Sequence, residues 1–277
     1  MALLKRIIGR LDIKNNNLVK GIHLEGLRAL GDPSYFSRKY YIDGIDEIHF
    51  QDVVASLYNR NQLESVISNT VKNIFVPINV GGGIRSIEDI DKILKLGADK
   101  VSINSAGVKN PNLIEQAVEI YGSSTITVAI EAINRGNYYE VLIESGRENT
   151  NLNVLDWVEK VQKIGAGEIC LTSIDREGTK KGFDIELYNT IKKNLNVPLV
   201  AHGGAGSFED IVEVFINANV DAVSIASILH YSYLQNTNVS LNAGNTHFLR
   251  NVTKENEDTN YIKHIKDNLK ALGINVR

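Results

Sequence analysis

The sequence predicts an α/β protein, a (β/α)8 TIM barrel, from eight short apolar runs, the helical segments between them and an internal repeat. The runs are rich in β-branched residues and continuously apolar, which is typical of parallel strands buried on both faces. Eight strands are the number that a closed barrel of this class needs. The predicted strands are residues 6–12, 47–52, 76–79, 100–104, 125–131, 168–172, 199–201 and 222–225.

Segments with helical periodicity separate most of these strands. Two of them follow a serine, Ser86 or Ser207, whose side chain can accept a hydrogen bond from the first turn. We expect a single barrel domain over residues 1–277, with a surface insertion at 232–260, where an Asn- and Thr-rich stretch breaks the pattern before the last helix. The predicted helices are 61–71, 87–96, 112–121, 152–164, 185–195, 208–218 and 261–272.

The chain repeats itself at a shift of about 120 residues. Residues 97–106 (GADKVSINSA) match residues 219–228 (NVDAVSIASI), and the glycines at 81–83 have counterparts at 203–204. Asp12 and Glu131, each at the end of an apolar strand, are 119 residues apart. The repeat predicts a two-fold internal symmetry in which each half of the barrel contributes four strands.

The composition excludes several classes of function. The net charge of −3 is spread along the chain, and no basic block is available for nucleic acid or for an anionic membrane surface. The single cysteine, Cys170, lies in an apolar run and fits a buried thiol in a reducing cytosol. No apolar stretch is long enough to span a bilayer. We expect a cytoplasmic protein that acts on a small solute and needs no metal or cofactor.

Two glycine-rich loops follow the third and seventh predicted strands, at residues 80–86 (VGGGIRS) and 202–207 (HGGAGS). The N–H groups of such loops bind phosphate because no Cβ blocks its approach, and each loop would act with the loop after the next strand. Because the halves face each other across the barrel mouth, the pair predicts an elongated substrate with a phosphate at each end. The predicted phosphate ligands are Gly82, Gly83, Asn104 and Ser105 in the first half, and Gly203, Gly204, Ala226 and Ser227 in the second.

Carboxylates end the first and fifth predicted strands. Asp12 and Glu131 would point into the barrel mouth, where a pair on opposite strands can divide the roles of general acid and base. Lys20, in the loop after the first strand, could reach an anionic group of the substrate. The alternative is that these carboxylates only cap loops or pair with Lys14 or Lys20.

Two further loops at the same end have the composition of binding loops. Residues 172–182 are dense in hydroxyl groups, charges and glycine, and include the candidates Thr172, Glu177 and Gly178. The loop after the fifth strand adds Asn149 and Thr150 as candidates. For both loops, a plain connection between elements is the alternative.

Four charged residues open strands at the opposite end of the barrel. Two positive and two negative side chains on inward-facing strand starts would form a neutral ring that closes the barrel floor. Such a ring adds stability in most barrels, and spacing alone does not indicate a gate. The four residues are Arg6, Glu47, Lys100 and Glu168.

These motifs together resemble the cyclase subunit of imidazole glycerol phosphate synthase, a family of histidine-biosynthesis enzymes. The likeness covers residues 5–231 and 272–277 with nearly colinear motifs, and their combination is highly specific. The segments that carry it are RLDIK (10–14), LVKG (18–21), GDP (31–33), VGGGI (80–84), ADKVSIN (98–104), GAGEI (165–169), LTSIDR (171–176) and GGAG (203–206).

The resemblance implies a reaction. Ammonia from a separate glutaminase subunit would pass up the barrel and attack phosphoribulosyl formimino aminoimidazole carboxamide ribotide. Cleavage and ring closure would then give imidazole glycerol phosphate and aminoimidazole carboxamide ribotide. The resemblance also implies that Asp12 and Glu131 act as acid and base, that the charged ring gates ammonia, and that the floor surface around Asp99 faces the glutaminase.

Three departures from the family pattern leave other readings open. Positions 131 and 177 are usually aspartate in the family but are glutamate here, and His202 stands where the family usually has serine. One added methylene displaces a carboxylate, and a misplacement of about 1 Å can cost on the order of a hundredfold in rate. These changes and the insertion fit a divergent paralogue that delivers ammonia to a nucleotide-linked sugar in surface-polysaccharide synthesis. A third reading is a barrel without chemistry that activates the glutaminase as a scaffold.

Overall fold

The computed structural model describes residues 4–55, 63–234 and 261–277. In this part of the chain, eight parallel strands form a closed barrel, because the first strand pairs with the second and also with the eighth. All eight predicted strands and the predicted fold class are confirmed. In chain order the barrel strands are β1 (Arg6–Lys14), β4 (Glu47–Asp52), β5 (Ile78–Gly81), β6 (Lys100–Ile103), β7 (Ile126–Asn134), β10 (Glu168–Ser173), β11 (Leu199–His202) and β12 (Ala222–Ile225).

Helices pack around the outside of the barrel. Ser86 and Ser207 cap two of them as predicted, and Ser207 forms a reciprocal capping box with Asp210. The helix predicted at 61–71 is described from residue 64 onward, and the other predicted helices differ from the observed ones by up to three residues at their ends. The helices are α1 (Pro33–Ile42), α2 (Glu64–Thr70), α3 (Ile87–Lys95), α4 (Ser105–Lys109), α5 (Asn112–Tyr121), α6 (Val154–Ile164), α7 (Ile185–Lys192), α8 (Phe208–Asn217), α9 (Ser227–Leu234) and α10 (Tyr261–Ala271).

Two antiparallel hairpins extend the barrel at matching places in its halves. The strands β2 (Asn17–Ile22) and β3 (Glu25–Gly31) follow β1, and β8 (Tyr139–Ile143) and β9 (Glu148–Asn153) follow β7. Both segments were expected to be loops, so each half has one hairpin more than predicted. The predicted insertion was expected to begin at residue 232, but residues 232–234 belong to α9. Residues 235–260 lie outside the described part.

A repeated hydrogen bond ties the strands together near the barrel floor. The carboxylate of Asp46 accepts from the backbone N–H of Ile7 at 2.7 Å, and that of Asp99 accepts from Ile78 at 2.8 Å. Asp221, the counterpart of Asp99 in the second half, accepts from the N–H of Leu199 at 2.9 Å. Asp99 is exposed at this end of the barrel, and its hydrogen bond to Ile78 gives it a structural role. None of the described helices combines the length and apolar character that a membrane span requires.

Candidate active site at the barrel mouth

A cavity of about 580 Å³ opens at the carboxyl ends of the barrel strands. Six of the predicted site residues line it, and they come from both halves of the chain. They are Gly82, Gly83, Asn104, Ser105, Glu131 and Thr172. The cavity is large enough for a small-molecule substrate, and its position is the one at which barrel enzymes bind their ligands.

Asp12 is buried beside two cations. Its Oδ1 accepts from the Nε of Arg10 at 2.8 Å, and its Oδ2 lies 3.5 Å from the Nζ of Lys20. Burial by itself would raise the pKa of Asp12, but the positive charges of Arg10 and Lys20 outweigh it and hold the pKa well below its usual range. Asp12 is therefore ionised at neutral pH and has no proton to donate.

Glu131 has the opposite electrostatic environment. Its Oε2 accepts from the backbone N–H of Gly146, at the turn between β8 and β9, at 2.9 Å. Burial raises the pKa of Glu131 to about 7, although the charge of Arg10 and the bond from Gly146 counteract the rise. A carboxyl group with this pKa exists in both protonation states near neutral pH, which suits a general acid or base. Two carboxyl groups at one rim thus differ widely in proton affinity.

The first glycine loop forms an open backbone cradle, the first cradle, which we define as Gly82, Gly83, Asn104 and Ser105. Both glycines have positive φ, at 96° and 72°. A Cβ on Gly82 would lie 2.2 Å from the carbonyl oxygen of Asp52, so this backbone approach needs glycine. The Oδ1 of Asn104 is buried without a hydrogen-bond partner, and the cradle opens directly onto the 580 Å³ cavity.

The second glycine loop forms a closed cradle, defined as Gly203, Gly204, Ala226 and Ser227. Its two glycines have φ of 99° and 107°, close to those of the first cradle. The gap beside it measures only about 10 Å³ and is also lined by the predicted residues Lys20, Glu177 and Gly178, and by the imidazole-bearing His202. The two halves have glycines of similar backbone conformation at these loops but differ in the volume of the space beside them.

A buried ion pair closes the second cradle on one side. The Nζ of Lys20 contacts Oε1 of Glu177, and both side chains are nearly inaccessible. The other carboxylate oxygen of Glu177 accepts from the N–H of Leu24 at 3.0 Å, so the β2–β3 hairpin is held against the loop after β10. Burial would lower the pKa of Lys20, but Glu177 and Asp12 raise it above its usual value, which keeps the ammonium charged.

Asn149 and Thr150 are not brought to the cavity. The Oδ1 of Asn149 accepts from Arg135 at 2.6 Å, and the hydroxyl of Thr150 donates to the carbonyl of Val141 at 2.5 Å. Both bonds hold β9 against its hairpin, so the two residues serve the hairpin in this structure. The sequence predicted both as ligand-binding residues because the segment was expected to be a loop at the barrel mouth.

Several residues of the cavity wall were missed, and Arg10 and Gln51 are two of them. Arg10 and Gln51 line the cavity, and Arg10 is 4% exposed. A signal was available, because Arg10 lies two positions before Asp12 on the same strand and therefore shares its inward face. A charged residue at that spacing in an apolar strand could have indicated a third ionisable group in the mouth.

The four charged residues of the floor form the ring that the sequence predicts. Arg6 donates to Glu47 at 2.9 Å and also contacts Glu168. Lys100 lies 3.0 Å from Glu47 and 3.3 Å from Glu168, so the charges alternate around the ring. Burial and the neighbouring Glu168 raise the pKa of Glu47, while the two cations counteract the rise.

Fold and site together define a (β/α)8 barrel with a carboxylate pair and two glycine cradles at its mouth. The chain belongs to the family described as histidine biosynthesis protein, whose model matches residues 6–235. This match confirms the family resemblance found from the motifs.

Proteins of that family from several organisms are similar to this chain. It is 49% identical to the imidazole glycerol phosphate synthase subunit HisF of Legionella pneumophila over 206 residues, which cover 74% of this chain and 97% of the relative. It is 48% identical to the subunit of the same name from Lactococcus lactis subsp. lactis over 231 residues, 83% of this chain and 89% of the relative. The subunit from Methanococcus vannielii is 44% identical, with 83% and 92% covered.

Proposed function

We propose that this chain is the cyclase subunit of an imidazole glycerol phosphate synthase, a lyase. It would use ammonia to convert phosphoribulosyl formimino aminoimidazole carboxamide ribotide to imidazole glycerol phosphate and aminoimidazole carboxamide ribotide. The observation that carries the proposal is the pair of carboxyl groups at one rim, Asp12 permanently ionised and Glu131 with a pKa of about 7. The names of the similar proteins support the choice of reaction.

The acid and base roles follow from the two environments. Asp12 is the group available to accept a proton from the substrate or from the attacking nitrogen, because Arg10 and Lys20 keep it ionised at neutral pH. The same cations make it a weak base, so it binds the transferred proton only weakly. Glu131, which is largely protonated just below neutral pH, donates a proton to the leaving group. The first cradle binds one phosphate of the substrate through backbone N–H groups, and the second cradle binds the other.

Ammonia reaches this rim through the barrel lumen. Between the floor ring and the mouth, three polar atoms are buried without hydrogen-bond partners: Nε2 of His49, Oδ1 of Asn79 and Oγ of Ser102. Buried polar atoms of this kind are satisfied by small polar molecules such as water or ammonia. The opposite side of the lumen is apolar, formed by Ile8, Cys170, Val200 and Ala222. Lys100, with 18% of its side chain exposed, is the ring member best able to swing aside as a gate.

A glutaminase partner would bind the amino-terminal face of the barrel, next to Asp99. Large exposed apolar side chains cluster at this face, because they come just before barrel strands or at the ends of helices that lead into them. An apolar surface around a charged ring is the composition expected of a protein interface. These residues are Leu4, Ile42, Phe75, Ile120, Ile216 and Leu272.

The partner proposal is tested with a matched pair of variants. Phe75, which is 79% exposed, lies at the amino-terminal face, whereas Ile22, which is 54% exposed, lies on the hairpin at the mouth. Phe75→Ser should weaken binding of the glutaminase subunit at least tenfold in calorimetry, and Ile22→Ser should leave it unchanged. Equal affinities for both variants would rule out this face.

The reaction is tested without any partner. Purified protein with the bisphosphate substrate and an ammonium salt at high pH should form both products, because free ammonia is then abundant. Asp12→Asn should reduce turnover at least a hundredfold. Equal rates for the two proteins would remove the catalytic assignment of Asp12. Absence of turnover, together with stimulation of the glutaminase, would instead identify a scaffold.

A second candidate function is ammonia transfer to a nucleotide-linked sugar. The 10 Å³ gap beside the second cradle favours it, because a terminal phosphate has less room there than at the first cradle. Incubation with ammonium and a nucleotide-linked keto sugar, followed by mass spectrometry, distinguishes the two acceptors. Replacement of a sugar oxygen by nitrogen would favour this candidate over the cyclase.

A further inference from the structure

His202 has one ring nitrogen without a partner at the second cradle. Its Nδ1 lies 2.7 Å from the carbonyl oxygen of Ser224, and because a carbonyl only accepts, Nδ1 must carry the hydrogen. In the neutral ring, Nε2 is therefore an acceptor. This atom is buried and makes no hydrogen bond, and the residue is 3% exposed. A buried polar atom of this kind costs free energy until a ligand satisfies it.

The imidazole lines the gap beside the second cradle. Gly203 and Gly204 continue the chain from His202, and Ala226 and Ser227 complete the wall. A gap of about 10 Å³ has room for about one oxygen atom. A phosphate at the mouth of this cradle would therefore insert a single anionic oxygen beside the imidazole.

The charges that face His202 are balanced before any ligand arrives. Arg10 and Asp12 approach from β1, Lys20 from β2 and Glu177 from the loop after β10, which makes two cations and two carboxylates. Burial, together with Arg10 and Lys20, holds the pKa of His202 well below its usual range, although Asp12 counteracts this. The imidazole is thus neutral in the free protein.

We infer that His202 takes up a proton when an anionic oxygen enters the second cradle and then donates its Nε2–H to that oxygen. A neutral ring would present a lone pair to the anion, which is repulsive, whereas the protonated ring forms a charge-assisted hydrogen bond. The inference rests on the proposed function, in which the second cradle binds a phosphate. It makes binding at the second end of the substrate depend on the protonation of His202.

The direction of the pH dependence follows from the linkage between anion binding and protonation of His202. An anion raises the pKa of His202, so its binding is strongest below the pKa of the free protein and weakens as the pH rises through the pKa of the complex. Between those two values the affinity falls by up to about tenfold per pH unit. The residues that line the cavity at the first cradle include no histidine, but they include Glu131, whose ionisation near pH 7 also weakens anion binding there as the pH rises. Proton uptake at the second cradle is therefore identified from the His202 resonances themselves.

Sulfate is the probe, because it remains a dianion across the pH range used and contributes no titration of its own. The Hε1 and Cε1 resonances of the histidines are followed by NMR from pH 5 to 8, with and without sulfate, and the His202 signal is assigned by its loss in His202→Ser. Backbone amide shifts of Gly203 and Gly204 report binding at the second cradle, and those of Gly82 and Gly83 report binding at the first.

We expect His202 to stay neutral from pH 5 to 8 without sulfate and to titrate within this range when sulfate is bound. His49 and His230 are matched internal controls, since each has a buried Nε2 without a partner but lines neither cradle. Both should stay neutral across this range with and without sulfate. In His202→Ser, sulfate affinity measured at Gly203 and Gly204 should become independent of pH.

Two results would overturn the inference. Sulfate that perturbs Gly203 and Gly204 while His202 stays neutral from pH 5 to 8 would show that binding takes up no proton at this residue. Sulfate that perturbs only Gly82 and Gly83 would show that the second cradle binds no anion. Neither readout involves turnover, so a failure here is distinguishable from a failure of the proposed reaction.

Discussion

The guanidinium Nε of Arg10 lies 2.8 Å from Oδ1 of Asp12, inside the barrel and shielded from solvent. This contact stabilises the ionised form of Asp12, and the same positive charge limits how far burial raises the pKa of Glu131. One buried cation therefore acts on the proton affinity of both carboxyl groups. The charge of Arg10 therefore lowers the pKa of both groups that the proposed acid–base chemistry uses.

Removal of the positive charge of Arg10 should raise the pKa values of both carboxyl groups. In Arg10→Met, we expect the pKa of Asp12 to rise into the measurable range and that of Glu131 to rise above 7, because desolvation is then opposed by fewer cations. The measurement is a titration of carboxyl carbons by NMR. Arg135→Met is the control, since Arg135 pairs with Glu140 on the outer hairpin. An unchanged Asp12 midpoint in Arg10→Met would contradict the assignment.

Glu131 should make the folded protein less stable as the pH rises. Its folded pKa of about 7 exceeds the unfolded value of 4.5, so its favourable contribution is complete below pH 4.5 and is lost as the pH passes 7. Glu131→Gln, which mimics the protonated form, should therefore be more stable than the parent by about 3 kcal/mol at pH 8.

The stability test is urea unfolding of both proteins at pH 5 and pH 8. The advantage of Glu131→Gln should nearly vanish at pH 5, where the parent carboxyl group is itself protonated. Asp12→Asn is the matched control with the opposite sign. The low pKa of Asp12 stabilises the fold near neutral pH, and this contribution declines in acid. A pH-independent difference between Glu131→Gln and the parent would exclude a pKa near 7.

The first cradle should tolerate no side chain at Gly82. Gly82→Ala combines a positive φ with a Cβ placed 2.2 Å from the Asp52 carbonyl, so it should cost at least about 3 kcal/mol of unfolding free energy and abolish sulfate binding at this cradle. Gly136, with φ of 91° and open space around it, is the matched control. Gly136→Ala should cost only about 1 kcal/mol. Similar losses for both would show that backbone conformation alone explains the glycine.

The floor ring should behave as a coupled unit. Lys100→Met leaves Glu47 and Glu168 with a single cation between them and should destabilise the protein by about 2 kcal/mol. Lys100→Met combined with Glu47→Gln should lose less than the sum of the single variants, because the removed charges compensate each other. Lys95→Met, which breaks an exposed pair with Asp91, should change stability by under about 0.5 kcal/mol. Additive losses in urea unfolding would show that the ring members are independent.

The sequence by itself determined the barrel, its eight strands and the two cradles. Parallel strands that are buried on both faces must be continuously apolar, and loops that approach a neighbouring backbone closely must contain glycine, so both features appear as local patterns. Asp12 and Glu131 were visible for the same reason, since a charge at the end of an apolar run is a local signal. The floor ring followed from charges at strand starts.

Only the tertiary structure decided what surrounds these residues. The proton affinities of Asp12 and Glu131 depend on Arg10, and the space beside the second cradle depends on His202 and on the contact between Lys20 and Glu177. Asn149 lies on the exposed strand β9, where it bonds to Arg135 and does not face the cavity, because β8 and β9 pair with each other. Burial and the distances between residues far apart in sequence set these properties, and neither quantity is contained in a local pattern of residues.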